Sequence, residues 1–200
     1  WCPDPAAWRG ALKYRLQPYS FISSFAFPST GLDDLKASLN NGNIHMVTVY
    51  ITSWNYKNIS DDPSTTDDDA YVGKPACYWV DGYDGSHAMT CVGYNDDIWV
   101  DINSNGTVDA GEKGALRIAN SWGSGWKDGG FVWVAYDALN TDSIVTGAPG
   151  TGRTYAIGQA LTSDVTPDYT PEAIAEFTLN HAKRNQLYMK LGIAETTESE

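Results

Sequence analysis

The chain has 200 residues, of which 42% are hydrophobic and 12% aromatic, and its formal net charge at pH 7 is −12. This composition is typical of a folded globular protein with enough chain for one sizeable core. The negative charge argues against binding to nucleic acid or to an anionic membrane surface, and no run of about 20 apolar residues predicts a membrane span.

The first 54 residues predict one clear helix between strand-like segments. Residues 3–16 are typical of a short helix or an irregular entry, and residues 19–27 are apolar and aromatic, as strands are. A helix is predicted over residues 29–42, because Ser29 or Thr30 can cap it and Gly42 can end it. Residues 43–54 alternate between apolar and polar, which predicts a strand.

The middle of the chain predicts a long polar loop followed by short strands. The loop covers residues 57–76, and its acidic cluster of Asp67, Asp68 and Asp69 could hold a cation, although a solvated loop tip is the favoured interpretation. Strands are predicted around His87–Tyr94, Leu116–Asn120 and Phe131–Tyr136. Many short strands and one helix predict a mostly β, barrel-like domain of the α+β family.

The composition changes near Gly147, after which Gly, Thr and Pro dominate as in linkers. We therefore predict a main domain over residues 1–158, and a linker with the start of a β-rich extension over residues 159–200. The extension alternates apolar residues at Leu187, Met189, Leu191 and Ile193. This pattern favours a hairpin, with a helix as the alternative.

The three cysteines are Cys2, Cys77 and Cys91, and an odd number cannot all pair. Cys91 lies in an apolar, strand-like run and is predicted to be a buried core residue. Cys2 and Cys77 lie in loop-like contexts that contain proline, and they could form a disulfide in an oxidising compartment. Disulfide or buried roles are favoured for each, and none is assigned as a nucleophile.

Two stretches, "SHAMTCVGY" at residues 86–94 and "NSWGSGW" at residues 120–126, carry the strongest functional signal. Together they resemble the second half of the papain-like cysteine peptidases, which has a His-Ala pair, an apolar strand with Val-Gly-Tyr, and then Asn-Ser-Trp-Gly and a further Trp. The matching residues are His87, Ala88, Val92, Gly93, Tyr94, Asn120, Ser121, Trp122, Gly123 and Trp126. The resemblance implies the β-barrel half of that fold.

The resemblance implies that His87 is the general base and acid, that Asn120 orients its imidazole, and that Trp122 shields the bond between them from water. In this chemistry an imidazole takes the proton of a thiol to give the nucleophilic thiolate, and later protonates the leaving amine. The family's nucleophile lies upstream in a Cys-Trp sequence, which is missing here. Because the chain starts with Trp1, we interpret it as a piece of a longer product whose N-terminal half supplies that cysteine.

Residues 101–112, "DINSNGTVDAGE", match the calcium loop of an EF-hand position by position. The predicted oxygen ligands are Asp101, Asn103, Asn105, Thr107 through its backbone carbonyl, Asp109 and Glu112, with Gly106 at the sharp turn. Strand-like segments flank the loop, so we interpret it as a single loop inserted between strands, with Ca²⁺ as a stabilising cofactor. An Asp- and Asn-rich turn without metal is the alternative.

The sequence therefore predicts a calcium-stabilised cysteine peptidase that cleaves peptides or proteins. The main alternative is a catalytically inactive binding module of the same fold that recognises protein through its cleft or its calcium loop. A cell-wall amidase of another Cys-His fold and a purely structural calcium domain explain fewer of the residues. Secretion or a cell-surface location, in a bacterium, is expected from the resemblance.

Overall fold

The structure is a computed structural model that describes residues 4–23, 25–149, 153–176, 178–180, 182–183, 186 and 188. Contacts between Cα atoms divide the chain into two compact units. One comprises Leu16–Thr166, and the other comprises Trp1–Arg15 with Pro167–Glu200. Within the described residues, no helix has both the length and the apolar character needed to cross a bilayer.

The described residues contain ten strands and two α-helices, which confirms the prediction of a mostly β protein. The helices are α1 (Pro5–Ala11) and α2 (Thr30–Asn40). The strands are β1 (Arg15–Leu16), β2 (Ser20–Ile22), β3 (His45–Tyr50), β4 (Trp54–Asn58), β5 (Pro75–Val80), β6 (Ser86–Trp99), β7 (Lys113–Ala119), β8 (Phe131–Ala135), β9 (Ala160–Thr162) and β10 (Val165–Thr166).

Eight of these strands form one sheet in the order β2-β9-β3-β6-β7-β8-β5-β4. All of its pairs are antiparallel except β5 with β8. Three 3₁₀ turns interrupt the chain of this unit, at Ile51–Ser53, Asp69–Tyr71 and Tyr136–Leu139. The largest core cluster draws its buried residues from α2 and from strands of the sheet.

The helix α2 forms as its sequence predicts. The Ser29 hydroxyl accepts a hydrogen bond from the Leu32 N–H and so satisfies one of the free donors of the first turn. Leu32 and Leu35 are buried on the face turned to the core, and Gly42 has a φ of +85° beyond the end of the helix. The helix is thereby fixed against the sheet that carries the candidate site.

The pairing of β6 with β7 positions the two residues singled out by the sequence. The strands are antiparallel, and Thr90 lies opposite Ala119. The start of β6 therefore lies beside the end of β7, which brings His87, three residues before Thr90, close to Asn120, the residue after Ala119. Alternate side chains such as Met89 and Cys91 of β6 are buried, and they hold this strand on the core.

Two sequence-based predictions in this unit were wrong. Cys77 does not lie in a loop but in the middle of β5, where it is fully buried. Pro75 is the first residue of this strand, a position where a missing N–H is tolerated. Because proline is typical of loops, it led to the prediction of a loop, although the residues after it favour a strand. The strand predicted over residues 43–54 is split by the 3₁₀ turn at Ile51–Ser53 into β3 and β4.

The segment after residue 158 contributes a strand to the main sheet. In β9, Ala160 pairs with both Ile22 and Val47, so this strand lies between β2 and β3. The predicted domain boundary at residue 158 stays a prediction. The hairpin predicted at Leu187, Met189, Leu191 and Ile193 lies outside the described residues.

The smaller unit contains α1, which begins at the proline-rich stretch as predicted. The Asp4 carboxylate caps the helix by accepting the Ala6 N–H at 2.9 Å, and Pro5 occupies the first helical position. In the same unit, the N–H of Tyr169 donates to the carbonyl of Lys13 at 2.8 Å.

Candidate active site

Two side chains that are 33 residues apart in sequence meet at the edge of the β6–β7 pair. Nε2 of His87, near the start of β6, lies 2.9 Å from Oδ1 of Asn120. Asn120 follows the last residue of β7, and its backbone N–H donates to the Gly130 carbonyl at 2.9 Å. The strand register and this backbone bond together fix the carboxamide beside the imidazole.

The contacts of Asn120 also fix which nitrogen of His87 carries the hydrogen. The backbone N–H of Ser121 donates to Oδ1 of Asn120 at 2.8 Å, so this atom must be the amide oxygen and not the nitrogen. An oxygen without a hydrogen can only accept, and therefore Nε2 of His87 is the donor. In the neutral ring Nδ1 then holds a lone pair, and it has no hydrogen bond to any part of the chain that the structure describes.

Trp122 lies against the imidazole of His87. The two ring centroids are 5.1 Å apart with an interplanar angle of 24°, which is a stacked arrangement. Trp126 meets the Trp122 ring edge-on at 5.7 Å, and it packs against the core cluster, as expected for a packing residue. Trp122 itself is 53% exposed, so one face of its indole remains open to solvent.

The turn that presents Asn120 and Trp122 depends on one glycine. Gly130 has a φ of +94°, and a Cβ on it would lie only 3.2 Å from the carbonyl oxygen of Gly123. A side chain at Gly130 would therefore be strained by both the backbone conformation and the space. Since Gly130 also accepts the backbone hydrogen bond from Asn120, it contributes to the position of the carboxamide.

The cysteines that the structure describes are not suited to act as nucleophiles. Cys77 and Cys91 are free thiols with 0% exposure. Burial raises the pKa of the Cys91 thiol to about 12, and it raises the pKa of Cys77 as well. Both thiols are therefore protonated at neutral pH and shielded from substrate. Cys77 is unpaired, so it forms no disulfide with Cys2, which lies outside the described residues.

The other histidine that the structure describes, His45, is a core residue. It is fully buried in β3, and its Nε2 lies 2.9 Å from the Ser38 hydroxyl. Burial lowers the pKa of this imidazole, because the charged form is costly without water. His181, for which the sequence offers no motif, lies outside the described residues.

The first part of the predicted calcium loop is wound into a turn by its own side chains. The Asp101 carboxylate accepts the N–H groups of Asn105 and Gly106, each at 3.0 Å. Oδ1 of Asn103 accepts the Asn105 N–H at 3.1 Å, and Oδ1 of Asn105 accepts the Thr107 N–H at 2.8 Å. Gly106 has a φ of +73°, as the sharp turn requires.

Glu112 is predicted to be a metal ligand, and in the structure both of its carboxylate oxygens accept hydrogen bonds from N–H groups of the chain. It is 1% exposed, and its Oε1 accepts the N–H groups of Ile102 at 2.7 Å and Asn103 at 3.3 Å. Its Oε2 accepts the indole N–H of Trp99 at 2.9 Å and the N–H of Asp109 at 3.1 Å. Four N–H donors thus satisfy the oxygens of this carboxylate, and it holds the loop on the strand that carries Trp99.

The loop fits a cation in its residue types and its turn, but its three carboxylates are not gathered around one point. Oδ2 of Asp109 accepts the side-chain amides of Asn103 and Asn105, each at 2.7 Å. The carboxylates of Asp101, Asp109 and Glu112 do not bring one oxygen each within 4.8 Å of one another. Binding of Ca²⁺ through all six predicted ligands therefore requires that these carboxylates move closer together.

A lysine that the sequence analysis did not single out also holds this loop. Nζ of Lys57, in β4, donates to the carbonyls of Asp101 at 2.6 Å and Ile102 at 2.9 Å, and to the Ser104 hydroxyl at 2.6 Å. Its ammonium group supplies positive charge to a loop with three carboxylates. No local signal could have identified it, because the contact joins residues 44 and more positions apart.

Comparisons with known proteins give structural likenesses at low identity. No family model matches the chain, and no curated protein matches it either. The SERA5 proenzyme of Plasmodium falciparum is 17% identical with a TM-score of 0.44, and the match covers 80% of this chain and 37% of that one. A structure of SERA5E from the same organism is 15% identical with a TM-score of 0.45, covering 80% and 54%.

The digestive procathepsin L2 proteinase from the larval midgut of Tenebrio molitor is 17% identical with a TM-score of 0.36, covering 74% of this chain and 34% of that one. The chain thus spans between about a third and about half of the length of these structures. Because every one of these TM-scores is below 0.5, the likenesses establish no activity for this chain.

The contacts of Glu112 predict that it stabilises the fold without metal. In Glu112→Gln, one oxygen becomes an NH₂ group that faces N–H donors, so we expect the free energy of unfolding to fall by about 1–3 kcal/mol. The measurement is urea unfolding of the chain in excess chelator. Glu172→Gln, at an exposed glutamate, is the control and should change this value by less than about 0.5 kcal/mol. A Glu112→Gln variant that is destabilised only when calcium is present would show instead that Glu112 is a ligand.

Proposed function

We propose that this chain supplies the histidine and its orienting asparagine to a papain-like cysteine peptidase that hydrolyses peptide bonds. The observation that supports the proposal most is the His87–Asn120 hydrogen bond, in which Nε2 donates and Nδ1 is left with a lone pair. This arrangement occurs within the two motifs that resemble that family. We infer that the nucleophilic cysteine comes from a segment outside this chain, the N-terminal half of the peptidase, and the burial of Cys77 and Cys91 supports this.

The proposed reaction uses the free nitrogen of His87. Nδ1 takes the proton of the cysteine thiol, and the thiolate attacks the carbonyl carbon of the peptide bond. When the C–N bond breaks, the imidazolium returns its proton to the leaving amine, and a thioester remains. His87 then removes a proton from water, whose oxygen attacks the thioester and releases the acid and the thiol. The Asn120 oxygen keeps Nε2–H engaged throughout, so the ring stays in one orientation.

Trp122 is proposed to shield the bond between His87 and Asn120 from water. A hydrogen bond is electrostatically stronger where water is excluded. The stacking of Trp122 on His87 supports this role for the face that it covers, while its 53% exposure leaves room for further protein or substrate on its other face.

A catalytically inactive binding module of the same fold is the second candidate. The observation that favours it is that neither of the two cysteines that the structure describes is a usable nucleophile. Such a module would bind protein or peptide through its cleft or through the loop at residues 101–112. It would retain peptide binding after His87→Ala, and it would not hydrolyse the bound peptide.

Substitutions at His87 and Asn120 test the peptidase proposal. The measurement is kcat/KM for a fluorogenic peptide, with the gene product that contains this chain and the predicted cysteine segment. We expect His87→Ala to lower kcat/KM by about 10³-fold, because it removes the general base and acid. We expect Asn120→Ala to lower it by about 10-fold or more, mainly through kcat, because the ring loses its fixed orientation.

Ser124→Ala is the control for these substitutions. Ser124 is exposed and lies in the same turn as Trp122, so we expect kcat/KM to stay within about twofold of the unsubstituted value. Hydrolysis that survives His87→Ala would contradict the proposed role of His87. No hydrolysis by the unsubstituted product, with retained peptide binding, would favour the inactive module.

We also propose that the loop at residues 101–112 binds Ca²⁺ and that this stabilises the fold. We expect the melting temperature of the chain to be lower in excess chelator than with calcium. We expect Asp101→Asn to reduce this calcium-dependent increase, because it removes a ligand of the loop. Asp142→Asn, at an exposed aspartate, is the matched control and should keep the difference. An equal calcium effect in Asp101→Asn and in the unsubstituted chain would contradict a site in this loop.

A secreted or cell-surface location, in a bacterium, belongs to the same proposal. A calcium-binding loop suits a compartment where calcium is abundant, since the calcium sites of extracellular modules have dissociation constants of about 10⁻⁴–10⁻³ M. The expected substrates are peptides or proteins.

A further inference from the structure

The loop between β4 and β5 brings Asp61 beside the adjacent pair Asp68 and Asp69, from which it is separated in the sequence. One carboxylate oxygen from each of Asp61, Asp68 and Asp69 lies within 4.8 Å of the other two. Two oxygens bound to one Ca²⁺ at 2.3–2.6 Å are at most about 5 Å apart, so a single ion can reach all three. The sequence had indicated Asp67 with Asp68 and Asp69, whereas the fold replaces Asp67 by Asp61.

A second and independent observation is the state of the Asp68 side chain. Asp68 is fully buried, and its Oδ1 has no hydrogen-bond partner. Its Oδ2 accepts a single bond, from the Asp62 N–H at 3.1 Å. A buried carboxylate oxygen without a donor is costly, and proteins resolve this with a hydrogen bond, a counter-charge or a metal ion.

No side chain in the part of the chain that the structure describes supplies the missing charge. The loop contains five aspartates between residues 61 and 69 and no lysine or arginine. Lys113 pairs with Asp62 at 2.8 Å, and this bond, with the two hydrogen bonds that Ser64 donates, lowers the pKa of Asp62 to about 2. Within the described residues, no Lys or Arg forms an ion pair with Asp61, Asp68 or Asp69.

We propose that Asp61, Asp68 and Asp69 bind one divalent cation, of the Ca²⁺ class, at a site separate from the loop at residues 101–112. Three carboxylates without histidine or cysteine form a hard oxygen set, which suits Ca²⁺, Mg²⁺ or Mn²⁺ and not Zn²⁺. Asp68 reaches the ion from the interior. Asp61 and Asp69 are exposed, so the remaining coordination positions are open to water.

The site is anchored to β6, the strand that carries His87, at the opposite end of that strand. The N–H of Ser60 donates to the Trp99 carbonyl at 2.9 Å, and the Asn95 side chain donates to the Asp67 carbonyl at 2.9 Å. Both partners belong to the second half of β6, whereas His87 is near its start. The ion therefore stabilises the fold at this end, and we expect no direct part in catalysis.

Calorimetric titration of the full chain with Ca²⁺ tests the site. We expect Asp68→Asn and Asp61→Asn each to bind one equivalent of Ca²⁺ fewer than the unsubstituted chain. Asp67→Asn makes the same change of charge in the same loop, but Asp67 is not one of the three proposed ligands. This variant should bind as many equivalents of Ca²⁺ as the unsubstituted chain. Asp101→Asn distinguishes this site from the loop at residues 101–112, because it should still bind the equivalent of Ca²⁺ that is lost in Asp68→Asn.

The melting temperature in excess chelator distinguishes a ligand from a structural residue. Asp68→Asn keeps an oxygen for the Asp62 N–H and removes a buried charge, so without metal we expect it to melt no lower than the unsubstituted chain. If Asp68→Asn fails to fold, the exposed Asp61→Asn decides by the same titration. The proposal is wrong if Asp61→Asn and Asp68→Asn bind as much Ca²⁺ as the unsubstituted chain, or if Asp67→Asn loses the same equivalent.

Discussion

The antiparallel register of β6 and β7 is the constraint on which the candidate active site depends. With Thr90 opposite Ala119, the imidazole of His87 and the carboxamide of Asn120 are brought within hydrogen-bond distance across a sequence separation of 33 residues. A shift of one residue would turn every side chain of a strand to the other face of the sheet. Burial of Met89 and Cys91 on one face of β6 therefore fixes the orientation of His87 as well as the core.

The same strand pair explains why the loop at residues 101–112 matters to the site. This loop joins the end of β6 to the start of β7, and the buried carboxylate of Glu112 ties it to Trp99, the last residue of β6. A loop that held β6 and β7 less firmly in register would allow the two strands to shift, and a shift would displace His87 relative to Asn120. Carboxylates in this chain thus serve the fold in two ways, through N–H donors at Glu112 and, as we propose, through a cation at Asp68.

Much of this arrangement could be predicted from the sequence, because the determining signals are local. Each of these signals lies within a few neighbouring residues: the serine that caps α2, the leucines on its buried face, and the strand-like segments on either side of the loop at residues 101–112. The identity of the site residues came from two short motifs, and the structure brings His87, Asn120 and Trp122 together. Their chemical roles remain a proposal.

The remaining features could not be predicted because they depend on contacts between distant segments. Lys57 binds a loop 44 residues away, and Asp61 replaces Asp67 in the aspartate trio only after the chain folds back between β4 and β5. Cys77 was misplaced because Pro75 is a loop signal in isolation, although the five residues after it form a strand. The hairpin predicted near the C-terminus stays a prediction.

The most direct measurement for the central claim is covalent labelling of the gene product that contains this chain with a thiol-directed epoxide peptidase inhibitor, followed by mass-spectrometric mapping. An epoxide is opened by a thiolate, so its adduct marks the cysteine that His87 activates. The account predicts one adduct on a cysteine outside this chain, at a Cys-Trp pair, and loss of that adduct in His87→Ala. An adduct at Cys2, Cys77 or Cys91, or no adduct on any segment, would contradict it.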